Sequence, residues 1–348
     1  MRVGATIFNQ NYSDWDRYEA EERGENVAAY AQQSDREIFI EELDIARIAD
    51  DTGFDAVWTI EHHFTPYTMV TNPLQYLTYI AGITKRVDLG TMVTVLPWHN
   101  PVRVAEDINM LDTFLGPKRE IICGVGRGLG RREYEGLSID QGEARERFDE
   151  SLQVLNQLLA TGKCDFQGKH YQIKGLKLRP QPDRDLSPNL WCAGGTDETV
   201  EIIARHGVRP LVIPTTSLGL SLETARKYAR LHAKAGFTPS KTKLALWTYV
   251  AETEAQAKPA PNSTWCSTPI RPCAITSCVA AISVTSKVMS PMARCRRRWR
   301  KIPHPSCVVL LIPIRGARRS RPSPAPRIWP CSLVAKRSCS SSSTAVCR

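Results

Sequence analysis

The feature that most constrains the fold of this chain is the alternation of short apolar segments with longer amphipathic ones. About seven apolar segments are candidate strands, and segments with apolar residues at helical spacing separate them. The apolar segments are nearly continuous, as strands buried on both faces of a sheet are. This order predicts an α/β fold with a parallel sheet and right-handed crossovers. The predicted strands cover residues 2–8, 55–60, 87–96, 120–125, 189–193, 210–213 and 244–251.

Helix ends are marked by local sequence. Ser34-x-x-Glu37 has the pattern of a capping box and predicts a helix start, and Gly53 predicts its end. Asn100 followed by Pro101 predicts a second helix start, because Asn accepts amide hydrogen bonds and Pro suits the first helical position. Further helices are predicted at residues 73–83, around 148–159, at 196–206 and at 221–235.

Two architectures suit this alternation, a closed eight-stranded barrel and an open doubly wound sheet. An open dinucleotide-binding sheet has a glycine-rich turn after its first strand. Here Phe8 is followed by Asn9, Gln10, Asn11 and Tyr12, without glycine. The sequence therefore favours a (β/α)8 TIM barrel, whose chemistry lies on the loops after the strands.

Composition changes abruptly near residue 258. The chain after Lys258 holds sixteen Lys and Arg but no Asp or Glu, whereas the preceding part has 30 Lys and Arg against 36 Asp and Glu. Eight of the eleven cysteines and twelve of the 23 prolines also lie after this point, with only one glycine, Gly316. The overall charge of +10 therefore describes neither part.

The N-terminal residues lack the apolar core of a secretory leader. No apolar run approaches the roughly 18 residues that a transmembrane helix needs. From the sequence we expect a cytoplasmic protein without a membrane partner.

Polar and glycine-rich segments follow four of the predicted strands and would meet at one mouth of a barrel. Adjacent histidines after a strand suit proton transfer, but they also suit purely structural roles. Three histidines and a glutamate are compatible with a metal site, although His62 and His63 lack the helical spacing of a zinc pair, and no metal is predicted. A glycine turn that opens a helix suits a phosphate group, with Arg127 either as its charged partner or as a surface residue. The four segments are residues 61–64, 97–101, 123–130 and 193–198.

Together these segments resemble the bacterial-luciferase-like flavin-dependent monooxygenases over roughly the first 255 residues. The Glu-His-His-Phe segment at 61–64 and the Glu-Asp-x-Asn-x-Leu-Asp segment at 106–112 are the most specific parts of the resemblance. Its other parts are residues 53–60, Asn72-Pro73, Leu89-Gly90-Thr91, residues 95–97, Pro101-Val102-Arg103, Arg127-Gly128-Leu129 and Gly194-Gly195-Thr196.

The resemblance implies specific roles for residues. His62 matches the active-site histidine of the family, and Met92 and Val93 match the strand-three bulge that supports the flavin ring. The expected phosphate-binding residues are Arg127, Gly194, Gly195 and Thr196.

The resemblance also implies a reaction. A separate reductase would supply reduced FMN, and O₂ would oxygenate a small organic substrate through a flavin C4a-peroxide. An alternative within the same fold is hydride transfer from a reduced deazaflavin. A homo- or heterodimer is expected. The luciferases carry a reactive cysteine where this chain has Gly126, which indicates a non-luminous enzyme.

Four interpretations of residues 258–348 compete. The Arg-rich segment 294–301 suits a nucleic-acid-binding tail, which would make the chain a non-enzymatic basic protein. A cysteine metal module is disfavoured because no Cys-x₂-Cys pair occurs, and a disordered Ser/Pro/Arg tail is a third interpretation. The preferred interpretation is translation out of frame, since GC-rich DNA read out of frame encodes few acidic residues. We therefore predict a barrel over residues 1–257 that lacks its last strand and helix, with doubtful activity for the chain as written.

Overall fold

A computed structural model describes residues 2–30, 34–213, 218–238, 242–245, 247–248 and 308–309. Its main sheet contains the strands β1 Gly4–Ile7, β2 Ala56–Thr59, β3 Asp88–Thr91, β4 Thr94–Val95, β5 Ile121–Gly126, β8 Leu190–Ala193, β9 Arg209–Val212 and β10 Lys243–Leu244. Seven of these form one curled parallel sheet in the order β1, β2, β3, β5, β8, β9, β10, and the short strand β4 pairs with β5 beside this path. This order confirms the predicted α/β barrel topology.

Helices follow most strands and cover the outer face of the sheet. None of the described helices is long and apolar enough to span a membrane. They are α1 Trp15–Glu22, α2 Asp35–Thr52, α3 Pro73–Ile83, α4 Pro101–Leu115, α5 Arg131–Gly136, α6 Ala144–Thr161, α7 Asp197–Arg205 and α8 Leu218–Lys234.

The predicted helix ends were correct in position. Gly53 ends α2 in the left-handed conformation, and the Asn100 side chain accepts a hydrogen bond from Val102 N at the start of α4. The capping box was wrong in one respect: Ser34 is the N-cap of α2, but its side chain makes no capping hydrogen bond.

The barrel interior contains two tryptophans, and one of them, Trp58, packs against glycines on the neighbouring strands. A Cβ atom on Gly90 would lie 2.4 Å from the Trp58 ring, and one on Gly4 would lie 2.5 Å from Trp58 Nε1. Trp191 belongs to the same buried cluster. Glycine at positions 4 and 90 of the neighbouring strands therefore leaves room for the Trp58 ring, since any side chain at either position would overlap it. A larger apolar core lies between the sheet and the helices.

An antiparallel hairpin interrupts the strand–helix alternation. It consists of β6 Lys163–Gln167 and β7 Gln172–Lys177, which pair with each other and not with the barrel. The sequence patterns did not predict this hairpin, nor α1 or α5.

The short strand β4 is an eighth parallel strand of this sheet, but it pairs with β5, and no described strand continues the sheet in parallel beyond β10. This arrangement is consistent with the predicted incomplete barrel. Beyond β10, the strand β11 Trp247–Thr248 pairs antiparallel with β12 Val308–Val309. An eighth barrel strand would run parallel to its neighbours. Apart from β12, the predictions for residues 258–348 lie outside the described residues.

Candidate active site

The predicted site residues all lie at the carboxyl ends of barrel strands. His62 follows β2, Met92 and Val93 separate β3 from β4, and Arg127 follows β5. The turn at residues 194–196 joins β8 to α7. Because the strands are parallel, these segments belong to one end of the barrel, which we call the C-terminal mouth.

His62 is held by a carboxylate that the sequence patterns did not identify. Its Nδ1 lies 2.8 Å from Glu133 Oε1, and the same oxygen accepts a hydrogen bond from His63 N at 3.0 Å. The Glu133 side chain is buried, whereas that of His62 is 34% exposed. A carboxylate at Nδ1 favours the Nδ1–H tautomer, which leaves Nε2 with a lone pair for a proton. His62 therefore has an oriented proton acceptor at the mouth of the barrel.

A second buried carboxylate, Glu61, joins the neighbouring strand ends. Glu61 Oε1 lies 3.2 Å from His63 Nε2 and 2.6 Å from His99 Nε2, and Oε2 accepts a hydrogen bond from Val95 N at 2.7 Å. Glu61 thus fastens the loop after β2 to the segment that contains β4 and the following turn. This network positions both histidines through their Nε2 atoms. No group of three or more His, Cys, Asp or Glu side chains that could hold a metal ion occurs among the described residues.

Ionisation strengthens the Glu61 network. Burial alone raises the pKa of Glu61, but the hydrogen bonds from His63 and His99, with Val95 N–H, outweigh burial and hold the pKa below 4.5. Burial also favours neutral His99, yet the hydrogen bond and charge of Glu61 prevail and raise the pKa of His99 above 6.5. An ionised Glu61 beside a protonated His99 is therefore the favoured state in mildly acidic solution.

The interruption between β3 and β4 lies at the residues expected to support the flavin ring. The Met92–Val93 peptide bond is cis, and Met92 N donates to Thr59 O at 2.7 Å. Met92 is buried in the interior cluster, and Val93 packs partly buried against it. A Cβ atom on Gly126 would lie 2.6 Å from Val93 Cγ2. Val93 and Gly126 are therefore in direct contact range.

Arg127 and the glycine turn at residues 194–196 follow adjacent strands of the sheet. Gly126 pairs with Ala193 at the ends of β5 and β8, so Arg127 and Gly194 are the next residues on adjacent parallel strands. Arg131 and Arg132 form ion pairs with Glu135 and Glu22, but the Arg127 guanidinium has no ion pair among the described residues. That guanidinium is available to an anion.

The glycine turn itself has mixed properties for a phosphate. A Cβ atom on Gly195 would meet nothing within 4 Å, so a ligand can approach the backbone there. The Thr196 hydroxyl accepts a hydrogen bond from Thr199 N at 3.4 Å and caps α7. Asp197 and Glu198, however, occupy the first turn of α7 and oppose an anion. Arg127 is therefore the stronger of the two phosphate-binding elements.

The sequence profile of the luciferase-like monooxygenases matches residues 14–300. The chain belongs to this family. Among curated relatives, it is 28% identical over 169 residues to the alkanal monooxygenase alpha chain of Photorhabdus luminescens, covering 49% of this chain and 46% of that one. It is 29% identical over 185 residues to the oxygenase component of the flavin-dependent trigonelline monooxygenase of Acinetobacter baylyi, covering 53% and 51%. The chain thus spans about half the length of these relatives.

Solved structures of similar fold support the barrel. Monooxygenase RslO1 from Streptomyces bottropensis aligns with a TM-score of 0.63 at 24% identity and covers 74% of both chains. The oxygenating constituent of 3,6-diketocamphane monooxygenase from Pseudomonas putida, solved with FMN, aligns with a TM-score of 0.57 at 18% identity, covering 74% and 70%. At these identities the likeness establishes the fold.

Aromatic residues of this family member pack around the histidines. Trp98 is buried and lies edge-on to His63 at 5.2 Å and to Tyr134 at 5.6 Å between ring centroids. Tyr134 donates to Arg127 O at 2.5 Å, so the short helix α5 anchors both His62, through Glu133, and the Arg127 segment. Leu129, in the loop after β5, is 72% exposed.

Proposed function

We propose that this chain is an oxygenase that uses reduced FMN and O₂ to oxygenate a small organic substrate. The observation that carries the proposal is the His62–Glu133 pair at the C-terminal mouth, at 2.8 Å. A histidine of fixed tautomer is a suitable proton-handling group near neutral pH. The flavin cofactor is inferred from family membership, because the luciferase-like monooxygenases are flavin-dependent enzymes.

The residues at the mouth fit a flavin phosphate and ring. Arg127 would pair with the phosphate, helped by the open backbone at Gly195, with Gly194 and the α7 N-cap Thr196 on either side of it. Met92 and Val93 would support the ring from the interrupted strand. Reduced FMN, when bound, would supply the electrons with which O₂ is activated.

The protein itself would orient the substrate, exclude water and move one proton. His62 would accept or return that proton at Nε2, while Glu133 holds Nδ1. The buried Glu61, His63 and Trp98 would keep the adjacent wall fixed and dry. A side chain at Gly126 would require Val93 to move, which agrees with a non-luminous enzyme that lacks the luciferase cysteine.

The experiment is anaerobic titration of the full chain with reduced FMN, followed by mixing with O₂. We expect saturable binding and reoxidation kinetics that differ from those of free reduced FMN. His62→Gln should retain binding but change the reoxidation kinetics, and Arg127→Met should weaken binding. Preferential binding of reduced deazaflavin would instead support hydride transfer. Absence of binding by the present chain agrees with the predicted incomplete barrel, and absence of binding by the chain with its alternative frame restored at codon 258 as well would contradict an oxidoreductase.

Two partner proposals accompany this function. A separate flavin reductase would deliver the reduced cofactor. The working unit would be a dimer, which a mass measurement by light scattering tests.

The alternative of a basic nucleic-acid-binding protein requires steeply salt-dependent DNA binding that disappears on truncation after residue 257. Salt-insensitive or absent DNA binding would exclude that alternative.

A further inference from the structure

A second cluster of charged residues lies at the opposite, N-terminal end of the barrel. Lys243 is the first residue of β10, and Arg209 is the first residue of β9. Lys243 Nζ lies 4.3 Å from the ring centroid of Trp191 and 5.8 Å from that of Trp58. Arg209 Cζ lies 5.3 Å from the Trp191 ring. Two cations thus share one buried indole.

Neither cation forms an ion pair with a described carboxylate. Arg2, two residues before β1, is the residue that pairs with Asp88 and Glu120. Glu252 and Glu254 are the only carboxylate side chains outside the described residues, because no Asp or Glu follows Lys258. The basic tail of this chain therefore has no acidic side chain with which to neutralise Lys243 and Arg209.

The positive charge of Lys243 is compensated only in part by Glu120. Burial, followed by the charge of Arg2, lowers the pKa of Lys243 from 10.5 to about 8; Glu120 opposes this shift and Arg209 adds to it. The indole faces offset only part of this cost, since a cation–π contact is weaker than the hydration that a buried ammonium loses. An anion at this position would be attracted by both cations and would restore the protonated form of Lys243.

We propose that the N-terminal end of the barrel binds a small oxyanion, phosphate or carboxylate, through Lys243 and Arg209 beside Trp191. The planar fork of Arg209 matches two oxygens of such an anion, and the lysine adds a point charge. This site is separate from the flavin phosphate site proposed at Arg127, because the two lie at opposite ends of parallel strands. The proposal therefore does not depend on the flavin chemistry.

The first test is thermal unfolding of the full chain in increasing sodium phosphate or sodium acetate, with chloride keeping ionic strength constant. We expect a saturable rise in Tm, since a ligand that binds only the folded state stabilises it. Lys243→Met should need about tenfold more anion for the same rise. Lys118→Met, which removes an exposed lysine from the loop leading into the same end of the barrel, should behave as the wild type.

The outcomes separate the sources of the anion. A response to acetate alone identifies a carboxylate ligand, and a response to phosphate alone identifies a phosphate ligand. Equal responses in the wild type and Lys243→Met would overturn the proposal, because phosphate bound at Arg127 or non-specifically survives that substitution. The absence of any response would overturn it as well.

A second measurement needs no variant. Trace acetylation at pH 8, read by peptide mass spectrometry, reports the deprotonated fraction of each lysine. Because a rise of one pKa unit from 8 lowers that fraction roughly fivefold at pH 8, saturating anion should slow the labelling of Lys243 by about that factor. The labelling of Lys118 should not change. An unaltered rate at Lys243 contradicts the proposal even where Lys243→Met fails to fold.

Discussion

At the residue scale, two buried carboxylates, Glu133 and Glu61, organise the C-terminal mouth by holding histidines. Glu133 fixes His62, and it does so from α5, which follows the Arg127 segment. A base acts efficiently only when its tautomer and ring orientation are already set before the substrate arrives. Glu133 is therefore a positioning residue for the proposed chemistry.

Substitution of Glu133 by Gln should lower the turnover rate roughly tenfold to a hundredfold, with little change in the affinity for reduced FMN. The amide keeps the size of the side chain but removes the charge that fixes the Nδ1–H tautomer. The measurement is O₂-dependent turnover against pH, with kcat and KM determined separately.

Glu135→Gln is the matched control on the same helix. Glu135 is 61% exposed and pairs with Arg131 in solvent, so its substitution should leave kcat within about twofold. A fall in Tm without a change in kcat for Glu133→Gln would show that Glu133 serves the fold alone.

The Glu61–His99 pair should make stability depend on pH in a defined window. The raised pKa of His99 means that its contribution is complete below pH 6.5 and is lost as pH rises through the folded-state value. The lowered pKa of Glu61 means that its contribution is complete above pH 4.5 and is lost as pH falls further. The coupling between the two residues should therefore be largest between these two pH values.

A double-mutant cycle of Glu61→Gln and His99→Gln measures this coupling by chemical unfolding. We expect about 1–3 kcal/mol near pH 6 and a smaller value at pH 9, because the contribution of His99 is lost as the pH rises through its pKa. His63 remains in every variant, so its contact with Glu61 changes equally in both arms. A coupling energy that stays constant from pH 6 to pH 9 would show that the pair is a neutral hydrogen bond.

Candidate site residues could be proposed from the sequence only where a chemically suitable side chain lies within a recognisable local motif. His62 was predicted because it lies in a specific four-residue segment, and Arg127 because it follows a strand, and both roles remain predictions. Glu133 is 71 positions from His62, in a segment that reads as an ordinary acidic helix turn, so no local signal connected them. His99 was noted beside a strand end, but its contact with Glu61 depends on strand order.

At the element scale, close approach of strands β3 and β5 depends on glycine. A Cβ atom on Gly124 would lie 1.9 Å from Thr91 O, and the Thr91 hydroxyl already donates to Gly124 O at 2.6 Å. Gly124→Ala should therefore destabilise the fold by about 2–3 kcal/mol, since a backbone oxygen cannot move aside as a flexible side chain does. The measurement is equilibrium unfolding in urea.

Gly82→Ala is the opposing control. Gly82 lies in α3 with nothing within 4 Å of its added Cβ atom. Alanine there should stabilise the fold by up to about 1 kcal/mol, through helix propensity. Equal tolerance of both substitutions would mean that β3 and β5 are further apart than described.

Elements with strong local signals were predicted well, and the others were not. The Pro73–Ile83 helix and the start of α4 agree with the sequence because Asn and Pro define both starts. The hairpin β6–β7 was missed because it is mostly exposed and lacks a buried apolar run. The six residues of α5 are too few to show a helical period.

At the scale of the whole molecule, the chain beyond β10 decides whether the barrel can close. A barrel needs an eighth parallel strand to remove its two free edges. In the described residues, β11 has an antiparallel partner of two residues, β12, instead. We propose that residues 1–257 form the native barrel and that residues 258–348 are translated out of frame, as their lack of acidic residues indicates.

Sequencing the gene across codon 258 tests this directly, and a protein-level prediction accompanies it. Restoring the alternative frame at that codon should add a strand and helix that pair both edges and bury further apolar surface. A gain of several kcal/mol in the free energy of unfolding would raise the Tm by about 10 °C or more, at roughly 2–4 °C per kcal/mol for a chain of this size.

Ending the chain after residue 257 should shift the Tm of the present sequence by only a few degrees, because an out-of-frame tail has not been selected to pack against the barrel. A large loss of stability on that truncation, or an intact single reading frame whose alternative encodes no strand–helix pattern, would instead make the basic tail a native part of the protein.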